Sequence, residues 1–178
     1  MELIIGLGNP ETEYANTRHN AGFLILDKLA TAFEFPIWKF DKKSNAEITK
    51  GEINKKRTVL AKPQTYMNDS GTAVRSLLDF YKLTLADIIV IHDDKDIPLG
   101  EIRVQTNRGP AGHNGIKSII EHVGTQNFTR IRVGVAPKTQ EEIKNTADFV
   151  LGKFTTEEKK VLGTVTEHVI KEVEKLIA

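Results

Sequence analysis

Few side chains in this 178-residue sequence are equipped for nucleophilic or acid–base chemistry. There is no cysteine, which removes thiolate nucleophiles, disulfides and cysteine-based zinc sites together. The serines are Ser44, Ser70, Ser76 and Ser118, and none lies in a G-x-S-x-G elbow. An activated water is the simpler nucleophile. Activating it needs a base that is neutral near pH 7, and histidine, with an ordinary pKa of about 6.5, is suited to that. Of the five histidines, His122 and His168 fall on expected helix surfaces, and His92 ends an apolar run. His113 adjoins a glycine loop, where it could bind or merely cap a helix. His19 sits in a polar loop between Arg18 and Asn20. Asp93 is its candidate partner. A carboxylate on one ring nitrogen fixes the tautomer and stabilises the imidazolium that forms.

Asparagines surround this pair. Asn9 follows the first apolar run, Asn68 precedes a helical stretch, and Asn114 follows Gly112-His113. Amide N–H groups stabilise a developing oxyanion without themselves becoming charged. They also read a peptide bond, a partner that a free α-ammonium lacks.

The elements that must position these groups alternate between strand and helix. Residues 3–7 form a short apolar run that ends among Gly6, Gly8 and Pro10. Residues 20–33 carry a helical period, with Asn20 as a candidate N-cap. Residues 45–50 and 57–61 suggest two strands joined by a polar turn over 51–56. A helix is expected from Asn68-Asp69-Ser70 through Lys82, and a short helical turn from the capping box Thr84–Asp87. Residues 88–91 predict a buried strand with Asp93 just past its end. Residues 101–105 alternate as a strand, a helix opens at Asn114 or Gly115, and Ile131, Val133 and Val135 mark another strand. A long amphipathic helix begins at Thr155, with Val161, Leu162, Val165, Val169, Val173 and Leu176 as its apolar stripe. The pattern predicts one α/β domain over 1–178, a twisted mixed sheet flanked by helices. In open α/β sheets, sites form beyond the carboxyl ends of the strands, where these polar residues fall.

Composition narrows the function classes. With 39% hydrophobic and 28% charged residues the chain is globular rather than disordered. Lys+Arg is 25 against Asp+Glu 24, a net charge of +1, so a polyanionic partner must be held by a local patch. No run is apolar and long enough to cross a membrane. A strand pattern from Glu2 argues against a signal peptide, and a cytoplasmic location is expected. Gly6-Leu7-Gly8 fails as a dinucleotide motif because Glu11 occupies the third glycine position. The run His92-Asp93-Asp94-Lys95-Asp96 could hold a hard divalent cation, but Lys95 puts a positive charge inside it.

Four motifs resemble those of bacterial peptidyl-tRNA hydrolases, in the family's order. They are Gly6-Leu7-Gly8-Asn9-Pro10 with Tyr14 and Thr17-Arg18-His19-Asn20; the run from Lys62-Pro63 to Tyr66-Met67-Asn68-Asp69-Ser70-Gly71; His92-Asp93-Asp94 with Asp96, Pro98 and Gly100; and Gly112-His113-Asn114-Gly115. Val150-Leu151-Gly152-Lys153-Phe154 extends the likeness. The resemblance implies hydrolysis of the ester between a peptide and the 3′ ribose of tRNA, a recycling step of translation. It implies no cofactor, and a monomer with no metal and no obligatory protein partner is expected.

By the same resemblance His19 is the base, Asp93 holds it in its basic form, and Asn9 distinguishes N-blocked from free aminoacyl-tRNA. Asn68 and Asn114 bind the tRNA 3′ end or the peptide. Tyr14 and Tyr66 contact the terminal nucleotide, although ordinary packing is a competing reading for Tyr66. Met67 lines the peptide channel, and Arg103 and Arg132 contact phosphate. The sequence departs from the family pattern at Glu11, for glycine, and at Lys95, for an apolar residue. It departs again at Gln105, for a basic residue, at Pro110-Ala111 in a usually glycine-rich loop, and in a short C-terminal tail. Two other readings stay open: an RNA-binding module, a use made of this fold in organellar splicing, and a metal-dependent phosphoesterase at His92–Asp96.

Overall fold

A computed structural model of the chain describes residues 1–178 apart from the side chain of Gln140. Its strands are β1 (Glu2–Gly6), β2 (Lys39–Asp41), β3 (Ala46–Ile53), β4 (Lys56–Pro63), β5 (Ile88–Pro98), β6 (Ile102–Thr106) and β7 (Thr129–Ala136). They form one seven-stranded sheet in the order β2-β3-β4-β1-β5-β7-β6. The central four, β4-β1-β5-β7, are parallel, while β2, β3 and β6 pair antiparallel at the two sides. The sheet is therefore mixed, as the hairpin pattern predicts.

Side-chain alternation gives the sheet two cores. Leu3, Ile5, Val59 and Val90 pack under α2 (Ser70–Tyr81) and α3 (Asn114–Val123), with Val74, Leu77, Ile116 and Ile119. Ile4, Leu60, Ile89 and Ile91 pack under α1 (Ala21–Ala32) and α5 (Thr156–Leu176), with Ile25, Leu29, Val165 and Val169. Burial on both faces accounts for the nearly unbroken apolar runs of β1 and the first half of β5. Helix α5 opens with a reciprocal cap between Thr155 and Glu158. Val161 and Leu176, assigned to its stripe, are instead 36% and 40% exposed, and the buried stripe is Leu162, Val165, Val169 and Val173.

Four elements differ from the sequence expectation. The hairpin turn is tighter than residues 51–56, because β3 runs to Ile53 and β4 starts at Lys56. Asn54 and Lys55 both take positive φ, 51° and 64°, the twist that matches a two-residue hairpin loop. Strand β5 continues to Pro98, so Asp93 lies within it rather than past its end. The cause is β7, whose Arg132, Val133 and Gly134 pair with His92, Asp93 and Asp94. Ladder pairing there overrides the polarity of the side chains. Finally, β2 and the six-residue helix α4 (Thr146–Leu151) are too short to leave a periodic signal.

The topology opens a crevice where the site residues fall. From β1 the chain goes first to β4 on one side, then to β5 on the other. Loops leaving β1 and β5 therefore diverge at the carboxyl edge of the sheet. Helix α1 closes tightly on this point. A Cβ on Gly22 would lie 2.4 Å from the Leu7 nitrogen and 2.5 Å from the Ile91 oxygen. Both contacts are backbone and cannot swing aside. Gly22→Ala is accordingly expected to cost about 1–3 kcal/mol, as overpacking does. Urea unfolding checks this: the midpoint should fall at an unchanged slope.

Candidate active site

The loop after β1 is built around one amide pair. The Asn20 side chain takes no part in capping α1, the role its position predicts. It faces Asn9 instead: Asn20 Oδ1 accepts the Asn9 N–H at 2.9 Å, and Asn20 Nδ2 donates to the Asn9 carbonyl at 2.9 Å. This two-point contact fixes the Asn9 backbone. The Asn9 side chain is fixed in turn by the Met67 N–H, which donates to Asn9 Oδ1 at 2.8 Å. A backbone N–H demands an acceptor, so the amide orientation follows, and Nδ2 is the end left over. Among the described residues that Nδ2 has no intramolecular partner, and Asn9 lines the cleft.

Asp93 is buried at 1% exposure and stands between two imidazoles. His19 Nδ1 is 2.9 Å from both carboxylate oxygens, and His113 Nε2 is 2.8 Å from Oδ1. The His113 tautomer follows from its other nitrogen. Nδ1 accepts the Ile116 N–H at 3.3 Å as the N-cap of α3, so Nε2 carries the proton and donates to Asp93. His92 stands edge-on to His113, ring centroids 4.8 Å apart, and its Nδ1–H donates to the Asp93 carbonyl at 2.7 Å. Burial, reinforced by His113, holds the His92 pKa well below the ordinary histidine value, which keeps it neutral.

Electrostatics separate the two central groups. Burial alone would raise the Asp93 carboxyl, but the charges and hydrogen bonds of His19 and His113 hold it far below the usual carboxylate range. Burial alone would lower His19, yet the Asp93 charge and hydrogen bond outweigh it and raise the pKa above the ordinary histidine value. Asp93 is thus held toward its anionic form beside an imidazole whose proton affinity is raised.

The loop carrying His19 is anchored from the far end of the chain. Arg18 Nη2 contacts Glu158 at 3.0 Å and 3.1 Å, and Arg18 Nη1 donates to the Phe149 carbonyl at 3.1 Å. Its guanidinium lies 4.5 Å from the Phe149 ring centroid. The Arg18 N–H donates to the Gly152 carbonyl at 3.0 Å, and Thr17 bridges Lys153 as an isolated antiparallel pair. The resemblance quotes Thr17-Arg18 and Val150–Phe154 as motifs, but sequence reading misses their pairing and the partner Glu158. Nothing in either motif names the other as its partner.

These groups line a cleft of about 540 Å³. Asn9, Tyr14, His19, Tyr66, Met67, Asn68, Asp93 and Asn114 all border it. Met67 is buried, while Asn68 and Asn114 are exposed, with side-chain amides that have no intramolecular partner among the described residues. His113 and the α4 residues Thr146, Ala147, Val150 and Leu151 complete the wall. The two arginines stand apart from it. Arg103 is exposed on β6. Arg132 is buried at 3% exposure and ion-paired with Asp94 at 2.8 Å, and it also donates to Gln105. The phosphate contact expected of Arg132 is thus replaced by an internal ion pair. Arg130, also buried, braces the glycine loop by donating to the Arg108 and Gly109 carbonyls at 2.7 Å and 3.0 Å. Burial lowers its pKa to about 10, with Arg132 adding to the effect, and it stays charged at neutral pH.

Two carboxylates of the metal reading are paired with cations in this structure. Asp94 is committed to Arg132, and Asp96 contacts Lys95 at 3.0 Å. His19, Asp93 and His113 do cluster, with ligand atoms within 4.8 Å of one another. The His113 nitrogen facing Asp93 bears a proton, however, and a protonated nitrogen has no lone pair for a metal. No described helix is long and apolar enough to cross a membrane.

Comparison with known proteins agrees across sequence and structure. A family model described as peptidyl-tRNA hydrolase matches residues 3–178. The peptidyl-tRNA hydrolase of Levilactobacillus brevis is 42% identical over 178 residues, all of this chain and 94% of that protein. That of Pediococcus pentosaceus is 49% identical over 158 residues, 89% of this chain and 83% of that protein. The crystal structure of the Acinetobacter baumannii peptidyl-tRNA hydrolase superposes with a TM-score of 0.90 at 36% identity, covering 99% of this chain and 88% of that one. With a sequence match that spans nearly every residue and a fold shared to its edges, the chain belongs to the peptidyl-tRNA hydrolase family.

Proposed function

We propose that residues 1–178 act as one catalytic unit that hydrolyses the ester between a peptide and the 3′ ribose of tRNA, with His19 as general base and water as nucleophile. The observation that supports this best is the His19–Asp93 contact of 2.9 Å at the floor of the cleft. With its proton on Nδ1 toward Asp93, His19 presents Nε2 as a lone pair. Nε2 takes a proton from water as the water oxygen attacks the ester carbonyl carbon. The tetrahedral oxyanion collapses, the bond to the ribose oxygen breaks, and the imidazolium returns its proton to that oxygen. A free 3′-hydroxyl and the peptide acid leave, and the acid gives the second proton of the water to solvent to become a carboxylate. Asp93 stabilises the imidazolium without taking the proton, and His113 keeps Asp93 anionic and oriented.

Asn9 Nδ2 is a neutral donor held in place by its own carbonyl end. It suits a carbonyl oxygen of an N-blocked substrate, whereas a free α-ammonium would meet a like donor and lose a bond. Asn68 and Asn114, exposed at the rim, are suited to the tRNA 3′ end or the peptide. Tyr14 and Tyr66 offer ring faces to unpaired bases, and Met67 a yielding apolar floor to the peptide. Arg103 is the basic residue left for phosphate. No cofactor is part of this reading, and the enzyme works as a monomer in the cytoplasm without an obligatory protein partner.

Two experiments test it. N-acetyl-aminoacyl-tRNA should release its acyl group, unblocked aminoacyl-tRNA should not, and EDTA should make no difference. Equal release from both substrates would remove the role given to Asn9, and chelator inhibition would restore the metal reading. His19→Ala should lower kcat by about 10²- to 10⁴-fold while substrate binding persists, the usual scale for losing a general base.

The pH profile is a separate check. A base must be neutral, and the His19 pKa is raised, so kcat/KM should fall as pH drops through a value above the ordinary 6.5 or so. Asp93→Asn removes the charge that raises it. That variant should show a lower plateau and an acid limb moved to lower pH; a limb that stays in place would detach Asp93 from His19.

A further inference from the structure

Tyr66, which lines the cleft, and Glu11, two positions after the lining residue Asn9, hold backbone conformations that only glycine visits without strain. Glu11 has φ 81° and ψ 147°, and Tyr66 has φ 60° and ψ 161°. They lie on different loops, one after β1 and the other after β4, and they meet: the Tyr66 hydroxyl donates to Glu11 Oε1. Two strained residues on separate loops, joined only by their side-chain tips, are poorly explained by fold stability. Both are exposed, Tyr66 at 45%, and an exposed hydrogen bond adds little to folding. Each sits beside a residue of the floor, Glu11 two positions after Asn9 and Tyr66 directly before Met67, which are themselves bonded at 2.8 Å. The hydrogen bond to Glu11, with lesser contributions from burial and from the Glu11 charge, raises the Tyr66 phenol above its ordinary pKa, so the donor keeps its proton.

We propose that Glu11 is a positioning residue: it clasps the cleft-lining Tyr66 and presets the ring as a platform for an unpaired base at the 3′ end of the substrate RNA. This rests on the peptidyl-tRNA reading above. A tyrosine free to turn loses rotamer freedom each time a base stacks on it, whereas a clasped ring has lost it in advance. Neither Glu11 nor Tyr66 bonds to His19 or Asp93, so the effect of the clasp falls on substrate capture, not on bond cleavage.

The experiment compares wild type, Glu11→Gly, Tyr66→Phe, the double variant and Glu11→Gln. Glu11→Gly and Tyr66→Phe should each raise KM for N-acetyl-aminoacyl-tRNA about 3- to 10-fold with little change in kcat, the size expected of one hydrogen bond. The double variant should be no worse than either single one, and Glu11→Gln, whose amide oxygen still accepts, should recover most of the loss. Glycine takes a φ of 81° freely, so the urea midpoint of Glu11→Gly should hold or rise. An unchanged KM, additive effects in the double variant, or a falling midpoint would overturn the clasp. Binding of a CCA-ended RNA oligonucleotide is measured on the same set. If wild type releases no acyl group, the hydrolase reading fails, and the oligonucleotide affinities alone then decide whether the clasp presents a base platform.

Discussion

At the carboxyl edge of the sheet, three histidines are arranged around a carboxylate that is held ionised although almost no water reaches it. An isolated buried carboxylate would take up a proton rather than bear the cost of desolvation. Asp93 avoids this by receiving His19 on one side and His113 on the other. Those two demands reach outward through the fold. His113 must be at the N-cap of α3, which fixes its tautomer, and His92 must remain neutral against it. His19 must be held at the end of a loop that has little regular structure of its own, and Arg18 supplies the hold.

The same economy governs Asn9. Its side chain reaches the cleft with a defined end forward because three backbone groups are satisfied around it: the Met67 N–H by its own oxygen, and its own N–H and carbonyl by Asn20. A site built from neutral amides and one anion needs such wiring. Amides are ambiguous donors and acceptors until a neighbour commits one end.

How much of this could be read from the sequence differs by level. The parallel core was visible because β1 and the start of β5 are buried on both faces and therefore apolar without a break. The cleft residues were visible because polar side chains punctuate the carboxyl ends of strands, and a family resemblance ordered them. What stayed hidden was pairwise geometry. Asn20 has the composition of a helix cap yet serves Asn9, because a bidentate contact to a backbone outcompetes a single cap bond. Arg132 has the composition of a phosphate ligand yet is spent on Asp94, since residues two positions apart on β7 face the same way and no sequence pattern says whether that way is solvent. Helix α4 is six residues long and gives no period to detect, and His113 declares its function only once its distance to Asp93 is known.

The Arg18 anchor has a consequence for the order in which the molecule is made. Glu158 both accepts the Thr155 N–H in the capping box of α5 and receives Arg18, 140 residues away in sequence. The loop carrying His19 leaves a ribosome before its clamp does, by the 140 residues that separate Arg18 from Glu158. A nascent chain therefore carries its proposed base in a loop without this anchor until Glu158 has emerged. The Arg18 hold on that loop forms only after the segment around Glu158 has emerged, so the proposed base receives this fastening after Asp93 and His113 have already been made.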